Sequence, residues 1–223
     1  MDIMALHASV LFDLAQTRAA HVLSAVQYPW QALAKIQAMI LEIGPQLPKS
    51  DYEQVAETIW IARSAKVAAN ASLNGPLIIG QETEVRHCAF IRGSALVGDG
   101  CVVGNSTELK NVILMNQVQV PHYNYVGDSI LGFKSHMGAG SITSNVKSDK
   151  SLVTVRFDDQ KLETGLKKFG AILGDQVEIG CNSVLNPGSI VGRNSQVYPL
   201  SMVRGVVPAN SIYKRAGEIV SLK

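Results

Sequence analysis

The sequence predicts a mainly β fold, a parallel β-helix built of hexapeptide repeats, and three observations carry that prediction. From Ile61 to Leu109 an aliphatic residue occupies every sixth position: Ile61, Val67, Leu73, Ile79, Val85, Ile91, Val97, Val103 and Leu109. A second column four residues later, Ala65, Ala71, Leu77, Thr83, Ala89, Ala95, Cys101 and Thr107, is small everywhere but at Leu77. After a lapse the pattern returns as Leu173, Ile179, Leu185, Val191, Val197 and Val203, with Val177, Ser183, Ser189, Ser195 and Ser201 in the small column. Neither the helical period of 3.6 nor the strand period of 2 produces a repeat of six. Each hexad is a short strand plus a bend that cannot bury its apolar side alone, so both columns point inward and stacking supplies the burial.

The elements follow in order. Residues 1–59 form an N-terminal helical segment. Asp13 is an N-cap for a helix carrying Ala15, Ala19, Val22, Leu23 and Val26 and ending near Tyr28. Pro29 opens a second helix with Leu33, Ile36, Ile40 and Ile43 on one stripe and Gly44 as its stop. Both helices are expected to pack on the first coil and cover its exposed strand edge. The β-helix spans residues 60–210. It slips by one residue after Leu109 to resume at Leu114, Val120 and Val126, and slips again to reach Leu131 and Met137. From 144 to 172 the repeat is interrupted by an extruded loop, in which Leu152 to Phe157 is a strand that Asp158-Asp159-Gln160 turns back near Lys161. Residues 211–223 form a C-terminal tail.

Composition narrows the function. A net charge of +2 and 17% charged residues leave no basic block, which argues against nucleic acid as the main partner. The three cysteines, Cys88, Cys101 and Cys181, lie inside repeats and make no disulfide framework, which suits a reducing cytoplasm. Asp2 and Asp13 stand where a signal peptide would carry a basic start, and no eighteen-residue apolar run suggests a membrane span.

Two groups of outward residues carry candidate chemistry. Arg92 and Lys110 each follow an inward aliphatic and are eighteen residues apart, so in a coil of three hexads they stack on adjacent rungs about 4.8 Å apart. Two solvated surface cations are one reading, and an anion held between them is the other. On a neighbouring column His87, Asn105, His122 and Ala139 each lie two residues after an aliphatic, and Pro121-His122-Tyr123-Asn124-Tyr125 crowds one rung with polar and aromatic groups.

The hexads resemble those of the hexapeptide-repeat acyltransferases, whose fold is a left-handed parallel β-helix of three strands per eighteen-residue coil. The hand comes from this resemblance. The runs Glu108-Leu109-Lys110-Asn111, His122 to Asp128 and Gly138 to Asn145 look like the acetyltransferase domain of the bifunctional glucosamine-1-phosphate acetyltransferase/uridyltransferases, over roughly residues 60 to 210. Gly165-Leu166-Lys167-Lys168-Phe169-Gly170-Ala171 is closer to the archaeal sugar-1-phosphate nucleotidylyltransferase/acetyltransferases, which carry a longer excursion here.

That resemblance implies an acetyl-coenzyme A-dependent N-acetyltransferase acting on an amino-sugar phosphate such as glucosamine 1-phosphate. It implies His122 as general base and Ala139 as the residue whose N–H faces the thioester oxygen. Tyr125 and Asn145 would line the amino sugar, with Arg92 and Lys110 on its phosphate, helped by Lys147 or Lys150 in cis or from a neighbouring subunit. His136 stands where the family has an Asn that contacts the sugar. Coenzyme A would run along Ala139, Cys181 and Pro199 toward Lys214 and Arg215, with Pro199-Leu200 in place of the family's small residues. No metal is implied, and the assembly implied is a cytoplasmic homotrimer, with outward Val, Ile and Leu residues supplying surface to bury. A uridyltransferase domain has no counterpart in residues 1–59. The chemistry suits these roles, because an ammonium must lose a proton before it attacks a thioester and an imidazole titrates near pH 6.5.

Two other functions compete. A γ-class carbonic anhydrase shares the solenoid, but His87 and His122 lie about 10 Å apart by strand spacing, too far for one ion within a subunit. A non-catalytic sugar-nucleotide-binding or assembly protein of the same fold is the second.

Overall fold

The computed structural model describes residues 3–157 and 159–222; Asp2 and Asp158 lie outside these. Hexads become strands of two to seven residues that stack in parallel on three faces. The first face holds Ile59–Ala62, Leu77–Ile79, Ala95–Val97, the second halves of Glu108–Leu114 and Tyr125–Leu131, then Ala171–Leu173, Ser189–Val191 and Val206–Val207. The second runs from Lys66–Val67 through Gln119–His122 and His136–Met137 to Ser211–Arg215. The third runs from Ser72–Leu73 through Phe90–Ile91 and the first halves of the two long strands to Ile142–Thr143, Val184–Leu185 and Met202–Val203. The inward aliphatics are fully shielded from Ile79 onward, whereas Val67 and Leu73 on the first coil are only partly buried.

The faces differ in how they tolerate length. From the first face to the second, every step between inward residues is six, from Ile79 to Val85 through Val207 to Tyr213, and from the second to the third it is again six throughout. All variation falls at the corner joining the third face to the first. The step there is six from Ile91 to Val97, five from Leu109 to Leu114 and from Val126 to Leu131, thirty from Thr143 to Leu173 and four from Val203 to Val207. The thirty-residue step contains the expected excursion, whose strands Thr154–Phe157 and Gln160–Glu163 pair antiparallel. Val153, Val155 and Phe157 bury one side of that hairpin.

The N-terminal segment departs from expectation in two ways. It is not two helices but a succession of short pieces, with α-helices at Ala8–Leu11, Ala20–Ser24 and Ile36–Ile43 and 3-10 turns at Ile3–Leu6, Leu14–Gln16, Pro29–Lys35 and Gly44–Gln46. Asp13 does cap, accepting from the Ala15 N–H, but the turn it starts ends at an extended Thr17. Tertiary contacts override helix propensity here, because the chain must meet fixed points on the solenoid. Gly44 keeps helical angles and passes into one further turn rather than stopping the chain.

Nor do the segment's helices cover the strand edge of the first coil, although Gly44 closes on Trp60 there. The edge of that coil is covered by Tyr52–Ala56, which folds back antiparallel on Ile59–Ala62, and the last coil is covered likewise by Glu218–Ser221. The segment instead lies along the flank of the first face. There the middle residue of each strand points outward, and register aligns Trp60, Ile78, Leu96, Ile113, Ile130, Ile172, Ile190 and Val206 in one apolar column. Ile78, Leu96, Ile113, Ile130, Ile172 and Ile190 are all shielded from water, each contributing about 1.5–3 kcal/mol of transfer free energy. Ile36–Ile43 contacts Ala95–Val97 and Glu108–Leu114, and Trp30 packs on Phe169 at 5.9 Å. The outward aliphatics expected to supply a subunit interface are, on this face, buried by the chain itself.

Polar anchors fix the segment to the corner that follows the first face. Arg18 forms a bidentate pair with Asp99 at 3.0 and 3.2 Å, and Gln16 accepts from the Asn116 N–H. The buried Asp175 carboxylate accepts from the N–H groups of Asp13 at 2.6 Å and Phe133 at 2.8 Å and pairs with Arg193 at 2.9 Å. Burial pushes this carboxyl above its ordinary range, and those three donors oppose the shift. Removing it leaves donors without an acceptor, at a cost of about 2–4 kcal/mol. Asp175→Ala is therefore expected to lower the unfolding temperature by roughly 4–16 °C. An unchanged melting midpoint by calorimetry would show that the N-terminal segment does not depend on this anchor.

Candidate active site

The candidate site is built on the third face and its two corners. At the corner toward the first face, Arg92, Lys110, Asp128 and Asn145 come from four successive coils, and the two five-residue steps fall there, at Lys110-Asn111 and Gly127-Asp128. The shortened turn leaves Asp128 at a φ of 47° with its side chain buried. Its carboxylate accepts from Lys110 Nζ at 2.9 and 3.1 Å, Asn111 Nδ2 at 2.9 Å and Asn145 Nδ2 at 2.5 Å. Charge-assisted bonds of this kind are strong and directional. Arg92 pairs with Glu108 at 2.8 Å. The picture of two bare stacked cations therefore needs correction: each carries its own carboxylate, so mutual repulsion gives no reason for a bound anion. The two cations nevertheless border one cleft of about 410 Å³, lined also by Gly75, Pro76 and Gln37 of the N-terminal helix.

Tyr125 lies on the same face beside this corner. Its hydroxyl accepts from Asn145 Nδ2 at 3.2 Å, and its ring lies over Gly127, where any Cβ would collide with it. Burial, with Asp128 adding to it, pushes the phenol above its ordinary range, so the hydroxyl keeps its proton. Asn145 spends its amide N–H groups on Tyr125 and Asp128, which leaves its oxygen as a fixed acceptor.

The opposite corner carries His122 on the same rung as Tyr125. The His122 side chain is exposed and has no protein partner among the described residues, while its N–H donates to Asn124 Oδ1 at 3.1 Å. Asn124 is buried in the small inward column and donates to Gly138 O at 2.9 Å and to Ser141 O at 3.1 Å, tying the rung of His122 to the next. On that next rung the Ala139 N–H meets no protein acceptor among the described residues, whereas the Gly140 N–H is bound to His122 O. Cys181 and Pro199 continue this corner down the solenoid, since Asn182 N donates to Ala139 O and Leu200 N to Cys181 O. Lys214 and Arg215 follow at its end, both paired with Glu218.

Other expected site residues lie elsewhere within the chain. His136 is on the second face, where its Nδ1 meets Glu178 Oε2 at 2.8 Å, away from Tyr125 and Asn145. Lys147 lines a separate cleft under the hairpin, and Lys150 is exposed and lines neither. In the sequence Asp128 and Asn124 stand out only as parts of motifs, yet both organise the site. A signal for Asp128 existed: it stands eighteen residues after Lys110, in a repeat that had just slipped by one. Gln37 had none, because nothing local says that a helix will wall a cleft on a distant coil. Among the described residues no three His, Cys, Asp or Glu come together to hold a metal, and no helix is long and apolar enough to cross a membrane.

The chain is similar to known proteins. The chain is 33% identical over 177 residues to the bifunctional protein GlmU of Methanococcus aeolicus, which covers 71% of this chain and 43% of that one. It is 27% identical over 166 residues to a bifunctional sugar-1-phosphate nucleotidylyltransferase/acetyltransferase of Sulfurisphaera tokodaii, covering 66% of this chain and 41% of the relative. The chain thus spans less than half the length of these two relatives. Among solved structures, the acetyltransferase domain of PglB from Neisseria gonorrhoeae aligns with 74% of this chain and 58% of its own, at 16% identity and a TM-score of 0.40. The family profile of the GMPPB C-terminal domain matches residues 73–216, which take in the whole constellation from Arg92 to Arg215. By that match over more than half its length, the chain belongs to the GMPPB C-terminal domain family.

Proposed function

We propose that this chain is an acetyl-coenzyme A-dependent N-acetyltransferase whose acceptor is an amino-sugar phosphate. One observation carries the proposal. A single face holds an open imidazole, His122, at one corner, and at the other a rigid polar set, Tyr125 and Asn145, beside the cleft bordered by Arg92 and Lys110. The Sulfurisphaera tokodaii relative, named as a bifunctional sugar-1-phosphate nucleotidylyltransferase/acetyltransferase, supports the reaction class. Acetyl-coenzyme A would supply the activated acetyl group. The residues along the His122 corner fit it, because Gly138-Ala139-Gly140 is bare of bulky side chains and the Ala139 N–H is unspent.

In this reading Arg92 and Lys110 hold the acceptor's phosphate, and the Asn145 oxygen and Tyr125 hydroxyl orient the sugar across the face. His122 takes the proton from the ammonium so that the free amine can attack the thioester carbonyl, and general-base help of this kind is worth roughly a hundred- to ten-thousandfold. The Ala139 N–H donates to the carbonyl oxygen as charge develops on it. The proton held on His122 passes to the departing thiolate as the C–S bond breaks, and the imidazole so freed takes the excess proton left on the amide nitrogen and releases it to water. Asn124 acts on His122 by fixing its backbone and is a positioning residue.

His122→Ala is expected to lower kcat by about 10²- to 10⁴-fold with little change in KM. Turnover unchanged under conditions where chemistry limits the rate removes His122 from this role.

Arg92→Gln is expected to raise KM for glucosamine 1-phosphate roughly ten- to a hundredfold, as expected for one lost charged hydrogen bond, and to leave KM for acetyl-coenzyme A unchanged. If the wild type acetylates glucosamine and its 1-phosphate equally well, the phosphate contact does not exist.

The same reading makes the protein a homotrimer in which the third face meets a neighbour. Its outward column aligns Ser72, Phe90, Glu108, Tyr125, Ile142, Val184 and Met202, apolar at four positions besides the tyrosine, and Phe90 and Met202 remain 37% and 59% exposed. Closed cyclic assemblies are the common way to bury such a surface. Light scattering at micromolar concentration is expected to give three copies, and Phe90→Asp with Met202→Asp is expected to give one. A monomeric wild type defeats the trimer.

A further inference from the structure

Six of the eight arginines pair with a carboxylate: Arg18, Arg63, Arg86, Arg92, Arg193 and Arg215. The two that form no ion pair among the described residues, Arg156 and Arg204, are far apart in sequence, yet they line one cleft of about 300 Å³ between the hairpin and the lower coils. Lys147 and Lys161 line it as well, against one carboxylate, Asp149. Hydrogen bonds from Ser151 hold Asp149 below the ordinary carboxylate range, so it is charged, and the lining carries four cations less one anion, an excess of three. Lys161 shares Glu163 at 3.4 Å, and Lys147 reaches Asp149 at 3.7 Å.

The arrangement is built rather than incidental. Val153, Val155 and Phe157 are buried, and with strand alternation this turns Arg156 to the open side. The hairpin backbone is laid on two glycines with positive φ, Gly188 at 80° and Gly205 at 82°. A Cβ on Gly188 would stand 2.8 Å from Thr154 O, and one on Gly205 would stand 2.9 Å from Arg156 O. Gly205 is the neighbour of Arg204, so the close approach that fixes the hairpin also fixes one guanidinium relative to the other. Guanidinium forks match phosphate oxygens in pairs. Two free forks, two ammonium groups and a volume at the small end of ligand sites suit a compact group with two linked phosphates better than a single phosphate.

We propose that this cleft binds the diphosphate of a nucleotide ligand, either a nucleoside-diphosphate sugar or coenzyme A, both of which contain that group. Nothing in the proposal depends on acetyl transfer, and the test reads binding without turnover, so failure of either reading leaves the other standing. The full chain is titrated by calorimetry at about 0.1 M salt, where surface charges are screened beyond roughly 10 Å, with inorganic pyrophosphate, inorganic phosphate, coenzyme A and UDP-N-acetylglucosamine. Wild type is expected to bind pyrophosphate at least tenfold more tightly than phosphate. Arg156→Gln and Arg204→Gln are each expected to weaken pyrophosphate tenfold or more, with Arg63→Gln unchanged and all unliganded unfolding temperatures alike. Whichever of coenzyme A and the nucleotide sugar weakens in parallel is the source of the diphosphate. Equal affinity for phosphate and pyrophosphate, pyrophosphate binding unaffected by Arg204→Gln, or a loss shared by neither organic ligand would each overturn the proposal.

Discussion

The inward columns can stay in register only if every coil returns its aliphatics to the same three lines, so any change in chain length has to be absorbed at a corner. In this protein one corner absorbs all of it. The turns after the first and second faces hold to six-residue steps, whereas the turn after the third face takes four, five, six or thirty. Arg92, Lys110, Asp128, Asn145 and Arg204 all lie on that turn, as do the walls of both clefts that border it, Gln37 excepted. The physical reason is separation of tasks. A corner whose backbone departs from the repeat can bury a carboxylate or extrude a hairpin, and the other corners then keep the stack parallel.

The other corners are held for different reasons. The turn after the first face is the docking line of the N-terminal segment, where Asp99, Asn116 and Asp175 anchor Arg18, Gln16 and Asp13. Polar anchors at that corner and the apolar column along the adjacent face together specify one position for a segment whose own helices are too short to be stable alone. Ile36–Ile43 then brings Gln37 to the wall of the cleft beside Arg92 and Lys110. The segment thus links the stability of the flank to the shape of the candidate site.

Charge is organised in the same economical way. Asp128 gathers Lys110, Asn111 and Asn145 as Asp175 gathers Arg193 and two backbone N–H groups, and each buried carboxylate orders groups from several coils. Burying a carboxylate is tolerable only with such a set of donors. Most arginines are neutralised locally, which makes Arg156 and Arg204, the two beside the hairpin cleft with no ion pair among the described residues, a departure from that pattern.

The sequence by itself determined the coil, because a column of aliphatics six apart admits one way of burying all of them. It also located the slips after Leu109 and Val126, the excursion with its hairpin, and the crowding of polar groups around His122, since each is a local break in a strict pattern. The hand of the helix was legible only through resemblance. What the tertiary structure decided is where the N-terminal segment lies and which charges pair. The helical stripes of residues 13 to 43 are compatible with many docking positions, and only the outward column from Trp60 to Val206, whose members recur about one coil apart, selects the flank. Arg92 and Lys110 looked like unpaired cations because the carboxylates they meet are not their register neighbours: Glu108 is level with Phe90, and Asp128 stands one residue past Gly127, which is level with Lys110. The step lengths were legible, but whether such residues meet depends on where each side chain points at the folded corner, as at Asp128 with its positive φ, and counting hexads does not give that.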